Sequence, residues 1–241
     1  SSGGFSTTDK YHWIEKLGHT IITPVPSLFT FNCKDIMLKD LQGISVNNVR
    51  VKIKGTKFCS SGALLITHWG FSGPAILKLS AFGARILYDL NYKFALEICW
   101  TDTDLLKIIE ITRSNIPLKQ IIKYPLCGIP MRLWESIILN SGIKPEKRYN
   151  ELSKKDIEAL KNILTKSEFN ITGKSTFKEE FVTAGGVSLK EIDFRTMESR
   201  VIKNVFFAGE ILDIDGVTGG FNFQSAWSTG YLAGIGMTKQ D

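Results

Sequence analysis

Apolar residues along this chain alternate between two periods, and the changes of period divide it into stretches. From about Thr8 to Leu17 the pattern is helical, with Trp13, Ile14 and Leu17 on one side and Gly18 as the stop. Pro24 and Pro26 then break the chain, and short strands are expected at Ser27–Phe31, Val46–Ile53, Lys57–Cys59, Ala63–Thr67, Arg85–Tyr88 and Tyr92–Trp100. Their length, with Asn-Asn and Lys-Gly turn signals between them, predicts a small antiparallel barrel or sandwich. One helix interrupts them, from about Ala75 to Phe82, with Pro74 suited to its first turn. Beyond Asp102 the helical period returns at Leu105, Ile108 and Ile109, at Leu133, Trp134, Ile137 and Ile138, and from Lys154 to Leu164, where Ser153 and Asp156 resemble a capping box. Phe177–Thr183, running into Ala184-Gly185-Gly186-Val187, and Val205–Ala208 read as strands, and Phe223 to about Met237 as a closing helix. Ala226, Gly230, Ala233 and Gly234 suit that helix to lying close to a sheet.

Composition narrows the class. With 241 residues, 43% of them hydrophobic, and mean hydropathy near zero, the chain can bury a substantial core. Its longest apolar runs fall well short of the roughly 20 residues of a spanning helix, so no membrane partner and a cytoplasmic location are expected. Cys33, Cys59, Cys99 and Cys127 form no C-x-x-C pair, which argues against a zinc knuckle or a redox dithiol. No metal site, Walker loop or hydrolytic triad is expected from the sequence. The net charge is +6, and lysines thicken between Lys144 and Lys178. Without interleaved aromatics that run reads as a solvated helical face, and no nucleic-acid partner is expected.

The sharpest chemical signal lies near the end. A short apolar strand, Asn204-Val-Phe-Phe-Ala, stops at Gly209-Glu210, and a Gly-rich turn leads through Gly219 and Gly220 into Phe221, Asn222 and a helix start. Such a turn brings backbone N–H groups against a phosphate or a flavin ring, which points to a bound cofactor. Asp213 and Asp215 read either as turn formers or as ligand contacts. Gly185 and Gly186 read either as a second close backbone approach or as a plain turn. His68 is the only one of three histidines within a motif, while His12 and His19 read as structural. Thr218 and Gln224 are secondary candidates.

Three motifs, in order along the chain, carry a family resemblance. Thr67-His-Trp-Gly-Phe-Ser-Gly-Pro74, then Val182-Thr-Ala-Gly-Gly-Val-Ser188 with Thr196-Met-Glu-Ser199, and Phe207-Ala-Gly-Glu210 through Gly219-Gly-Phe-Asn-Phe-Gln224 closely resemble the BaiN/RdsA-type bacterial FAD-dependent oxidoreductases. These are two-dinucleotide-binding-domain flavoproteins. The resemblance implies an α+β chain in four parts: the residual end of an FAD-binding domain (1–24), a β-barrel-like insert (25–101), a helical insert subdomain (102–172) and the C-terminal part of a Rossmann-like FAD-binding domain (173–241). Family members begin with a Rossmann strand, a G-x-G-x-x-G turn and an acidic residue about 20 positions later. None of these is found here, so the chain is expected to start where the N-terminal nucleotide-binding segment ends, with Gly3 and Gly4 closing that domain.

By the same resemblance, Gly209 permits close approach to the cofactor and Glu210 accepts from ribityl or ribose hydroxyls. Gly219, Gly220, Phe221 and Asn222 face the flavin pyrimidine edge, and Gly185, Gly186 and Asp213 lie near the cofactor. From its motif, His68 reads either as a hydrogen-bonded core or loop residue or, where it reaches the flavin face, as a proton donor to a reduced alkene carbon. FAD is the implied cofactor, NAD(P)H the reductant, and a small organic molecule, such as a steroid-like enone acid, the acceptor. Without its nucleotide-binding partner segment the chain is expected to be inactive, to bind FAD weakly and to self-associate. The competing expectation is a non-catalytic insert that binds a partner subunit.

Overall fold

A computed structural model describes residues 8–175 and 182–238, divided into two compact units. The first combines the described parts of Ser1–Phe29, Ser80–Asn91 and Thr176–Asp241, and the second comprises Thr30–Leu79 and Tyr92–Ser175.

The second unit is built on a seven-stranded antiparallel sheet. Across it the order is Ser167–Ile171, Phe94–Cys99, Ser45–Ile53, Cys59–Ile66, Gly70–Ser72, Phe31–Asn32 and Gly173–Lys174. Val49, Val51 and Ile53 are buried while Arg50 and Lys52 face solvent, the alternation of a sheet with one wet face. The expected barrel is not observed, because this sheet does not close on itself. Helices supply its second layer instead. Lys154–Lys166 packs on Phe94–Cys99, Trp100 Nε1 donates to Ser167 Oγ at 2.9 Å, and Leu133, Trp134, Ile137 and Ile138 of helix Met131–Asn140 are buried. The Ser153–Asp156 capping box forms, with reciprocal bonds at 3.2 and 2.8 Å.

Several boundaries differ from the sequence reading. Arg85–Tyr88 is not a strand but part of the helix Ala84–Asp89, since Ala84 and Leu87 are buried one turn apart after Gly83. The two expected strands around Gly62 form one strand, Cys59–Ile66. Pro24 and Pro26 lie within the strand Ile21–Ser27, which pairs with Val182–Val187. Pro24 falls at the register shift between Ile22 and Val25, where no ladder N–H is required. Phe177–Phe181 lies outside the described residues. Val205–Ala208 is extended but makes a single bridge, Glu198↔Phe206, rather than a strand ladder.

The first unit ends in its longest helix, Phe221–Thr238. Ala233 and Gly236 are buried there, and a Cβ on Gly236 would lie 3.0 Å from Phe206 Cε1. Tyr11, Ile14, Val187, Ile192, Met197, Phe207, Leu212 and Ala233 form the core beneath this helix.

Candidate functional site

A cavity of about 820 Å³ opens within the first unit. Residues 205–211 form one wall, residues 217–220 with Asn222, Phe223 and Ala226 form another, and Trp13, Leu28 and Val182 complete it. Local rules explain both walls. Phe207 is buried and donates its N–H to Met197 O at 3.0 Å, so the chain arrives extended through Ala208. Gly209 then takes φ +76, a left-handed turn that favours glycine, and its N–H donates to Thr229 Oγ1 at 2.9 Å.

The second wall is a loop closed by one side chain. Asn222 Oδ1 accepts the Gly216 N–H at 2.7 Å, and its Nδ2 donates to Gly216 O at 3.1 Å. Between them Gly219 and Gly220 take φ +118 and +85. The helix begins at Phe221, so its first N–H groups and the positive end of its dipole lie at the cavity-lining glycines.

The cavity therefore gathers Gly209, Glu210, Gly219, Gly220 and Asn222. Phe221 lies between the last two, with its side chain exposed. Burial pushes the Glu210 carboxyl up, as expected for a charge in apolar surroundings. Asp213 is not on the cavity lining; Arg85 Nη2 holds its Oδ1 at 3.0 Å. Burial raises Asp215, the neighbouring Asp213 charge adds to this, and a 2.8 Å hydrogen bond from Ser27 opposes it.

Gly185 and Gly186 are both points of close backbone approach within the first unit. A Cβ on Gly185 would lie 2.6 Å from Thr23 O, and one on Gly186 would lie 2.9 Å from Leu212 C. Neither lines the cavity. Thr218 lines it, whereas Gln224 bonds Ser228 at 3.0 Å. Gly3 and Gly4 lie outside the described residues.

His68 stands exposed in the turn between Cys59–Ile66 and Gly70–Ser72, in the second unit. The rest of its motif has structural duties there. Thr67 Oγ1 accepts the N–H groups of Trp69 and Gly70 at 3.3 and 3.2 Å, and a Cβ on Gly73 would lie 2.9 Å from Ala63 O.

Sequence reasoning missed the apolar walls, Trp13, Leu28, Phe207 and Phe223. The helical pattern puts Trp13 and Leu17 on one apolar side with Ile14, but only Ile14 is buried, and Trp13 and Leu17 are exposed. Sequence reasoning also missed a linkage of a half-buried Glu191 with buried His19 and Ser199, whose members are up to 180 positions apart. Among the described residues, no helix is long and apolar enough to cross a membrane.

Comparison with known proteins adds to this geometry. The family profile described as HI0933-like protein Rossmann domain matches residues 3–236. The chain is 30% identical over 242 residues to the ribosomal RNA dihydrouridine synthase of Haemophilus influenzae, covering 95% of this chain and 56% of that protein. To the protein of the same name from Escherichia coli it is 31% identical over 227 residues, 92% of this chain and 54% of the relative. A 3-dehydro-bile acid delta(4,6)-reductase of Clostridium scindens is 28% identical over 232 residues, 93% and 56% of the two chains. The chain thus spans about half the length of the curated relatives it matches.

Proposed function

The chain belongs to the HI0933-like Rossmann-domain family, and on that premise we propose that it supplies one side of an FAD site in an NAD(P)H-dependent oxidoreductase. The observation that carries this reading is the convergence of Gly209, Glu210, Gly219, Gly220 and Asn222 on one cavity at a helix N-terminus. The residues fit such a group. About 820 Å³ falls within the roughly 300–1,000 Å³ of ligand cavities, its walls are largely apolar, and two glycines leave the helix start bare of side chains.

Bound there, FAD would supply hydride transfer. The protein's part is to hold and polarise. N–H groups at Gly219, Gly220, Phe221 and Asn222 would hold the cofactor's isoalloxazine and lend positive potential to the negative charge it carries when reduced. Glu210 accepts from ribityl or ribose hydroxyls, Gly209 allows close approach, and Trp13 and Phe207 exclude water. Gly186 backs the wall at Ile211 from outside the lining, while Gly185 packs on Thr23 and Pro24 and Asp213 on Arg85. His68 is proposed as a proton donor on its motif alone, since it stands in the second unit and off the cavity lining.

The relatives' names indicate an acceptor class. Making dihydrouridine saturates a C=C conjugated to a carbonyl, and so does reducing a 3-keto bile acid at its delta(4) bond. We extend that class to this chain: hydride adds to the β-carbon and a proton to the α-carbon. The acceptor test accordingly includes a uridine-containing RNA beside a small enone, although the sequence pointed to small molecules alone.

The partner is proposed to be a nucleotide-binding segment seated on the outer face of Phe221–Thr238. Trp227 and Tyr231, at i and i+4 and off the cavity lining, are 69% and 70% exposed. Gly230 and Gly234 have nothing within 4 Å of where a Cβ would stand, although a mid-helix glycine costs about 1 kcal/mol relative to alanine. Such a face suits close packing of another backbone. The same face favours the second reading, a non-catalytic interaction module. The two readings separate on NADH and NADPH oxidation by the chain combined with a separately expressed nucleotide-binding segment. Turnover that depends on an enone or on uridine supports the enzyme, and its absence in a folded, flavin-free complex supports the module.

A further inference from the structure

His19 is 4% exposed, and both its ring nitrogens are engaged. Nδ1 lies 2.9 Å from Glu191 Oε2, and Nε2 lies 2.9 Å from Ser199 Oγ. Glu191 Oε2 also accepts the Thr20 N–H at 2.9 Å. Serine, histidine and a carboxylate linked in this order resemble an activated nucleophile. Two observations set that aside. Ser199 is 7% exposed and off the cavity lining, and its Oγ already accepts the N–H groups of Val201 and Ile202 at 3.0 and 2.9 Å. An oxygen with both lone pairs occupied anchors a turn and is not aimed at a substrate.

The same count fixes the protons. With both lone pairs taken, the Ser199 hydroxyl donates to Nε2, so Nδ1 carries the ring hydrogen and donates to Glu191. This arrangement satisfies both ring nitrogens of His19, the Ser199 hydroxyl and Glu191 Oε2.

Its load is the cavity wall. The His19 ring meets Phe207 edge-on, with centroids 4.8 Å apart and planes at 77°. Ser199 N–H donates to Val205 O at 2.7 Å, Phe207 N–H donates to Met197 O at 3.0 Å, and Glu198 bridges Phe206. The segment around Ser199 is therefore the template on which residues 205–207 lie, and Glu191 and His19 lock that template in place.

We infer that His19 is a positioning residue: through Ser199 and Phe207 it sets the main chain of residues 205–209, and with it the approach of Gly209 to a ligand in the cavity. The functional consequence rests on the cofactor reading above, but the positioning itself does not.

The test combines ¹⁵N spectra of the His19 ring in the wild-type chain with amide hydrogen exchange. The ring hydrogen is expected on Nδ1. His19→Phe keeps a ring against Phe207 but has no ring nitrogen, and Ser199→Ala removes the anchor. Both should speed exchange at residues 205–209 about tenfold, on the order of one lost buried hydrogen bond, with strand Ser45–Ile53 of the other unit unchanged. Glu191→Gln keeps an acceptor for Nδ1–H and should retain slow exchange, whereas Glu191→Leu should not. In the sample combined with a nucleotide-binding segment, His19→Phe and Glu191→Leu should weaken FAD binding and shift its visible absorbance, and Glu191→Gln should do neither.

An Nε2–H tautomer, unchanged exchange at 205–209 in Ser199→Ala, or equal damage from Glu191→Gln and Glu191→Leu overturns the inference. Should His19→Phe fail to fold, the Glu191 pair and the wild-type tautomer decide. The expected exchange pattern in a chain that never binds FAD would overturn the cofactor reading and leave the positioning role standing.

Discussion

Gly186 and Gly219 both hold positive φ, but substitution should separate them. A Cβ on Gly186 would press on the Ile211–Leu212 backbone, so Gly186→Ala is expected to destabilise by about 1–3 kcal/mol, read as a lower Tm. A Cβ on Gly219 meets only the Phe221 ring, at 3.3 Å. Gly219→Ala should therefore cost mainly the backbone strain, about 1–3 kcal/mol, while it also weakens FAD binding in the combined sample. Glu210 offers a matching contrast. Its folded-state carboxyl is raised by burial, so the folded chain holds the proton more tightly than the unfolded one. Stability from this group is therefore lost as pH rises from the ordinary value of about 4.3 through the folded one. Glu210→Gln should flatten that pH dependence in thermal melts yet weaken FAD binding, and a variant that melts and binds like wild type would contradict the assigned role. The polar half of the cavity was legible because glycines before a helix are a local signal. The apolar half and the Glu191–His19–Ser199 linkage were not, since they join residues distant in sequence.

Elements were most legible where one period ran uninterrupted. Lys154–Lys166 shows its 3.6-residue stripe and its cap in the sequence. Arg-Ile-Leu-Tyr at 85–88 is too short for its period to be read, and a neighbouring buried Ala84 decided for helix. The barrel expectation failed for a similar reason: strand pattern reports a buried face but not whether a strand or a helix covers it. Asp156 at the third position of its helix gives a direct test. Burial alone would raise its carboxyl, but Lys147 at 2.6 Å and Ser153 hold it down to about 2. The unfolded chain protonates first, near 4, so this contribution is complete above that value and is lost as pH falls toward 2. Asp156→Ala should remove that acid-side loss and lower stability by about 1 kcal/mol at neutral pH, seen in urea melts.

The molecule as a whole presents a cavity with one side formed by glycines and a long helix with an apolar outer face. Trp227→Glu on that face should reduce self-association of the isolated chain, checked by light scattering against concentration, while leaving its Tm close to wild type. Loss of folding in this variant would mean that the face is part of the chain's own core. An FAD titration reads out whether these residues form one side of a flavin site. Absorbance and fluorescence are followed for the chain alone, and for the chain with a separately expressed nucleotide-binding segment. Weak binding is expected for the chain alone and stoichiometric binding in the combined sample, weakened in Gly219→Ala. Tight binding by the chain alone, or none in the combined sample with both parts folded, would contradict it.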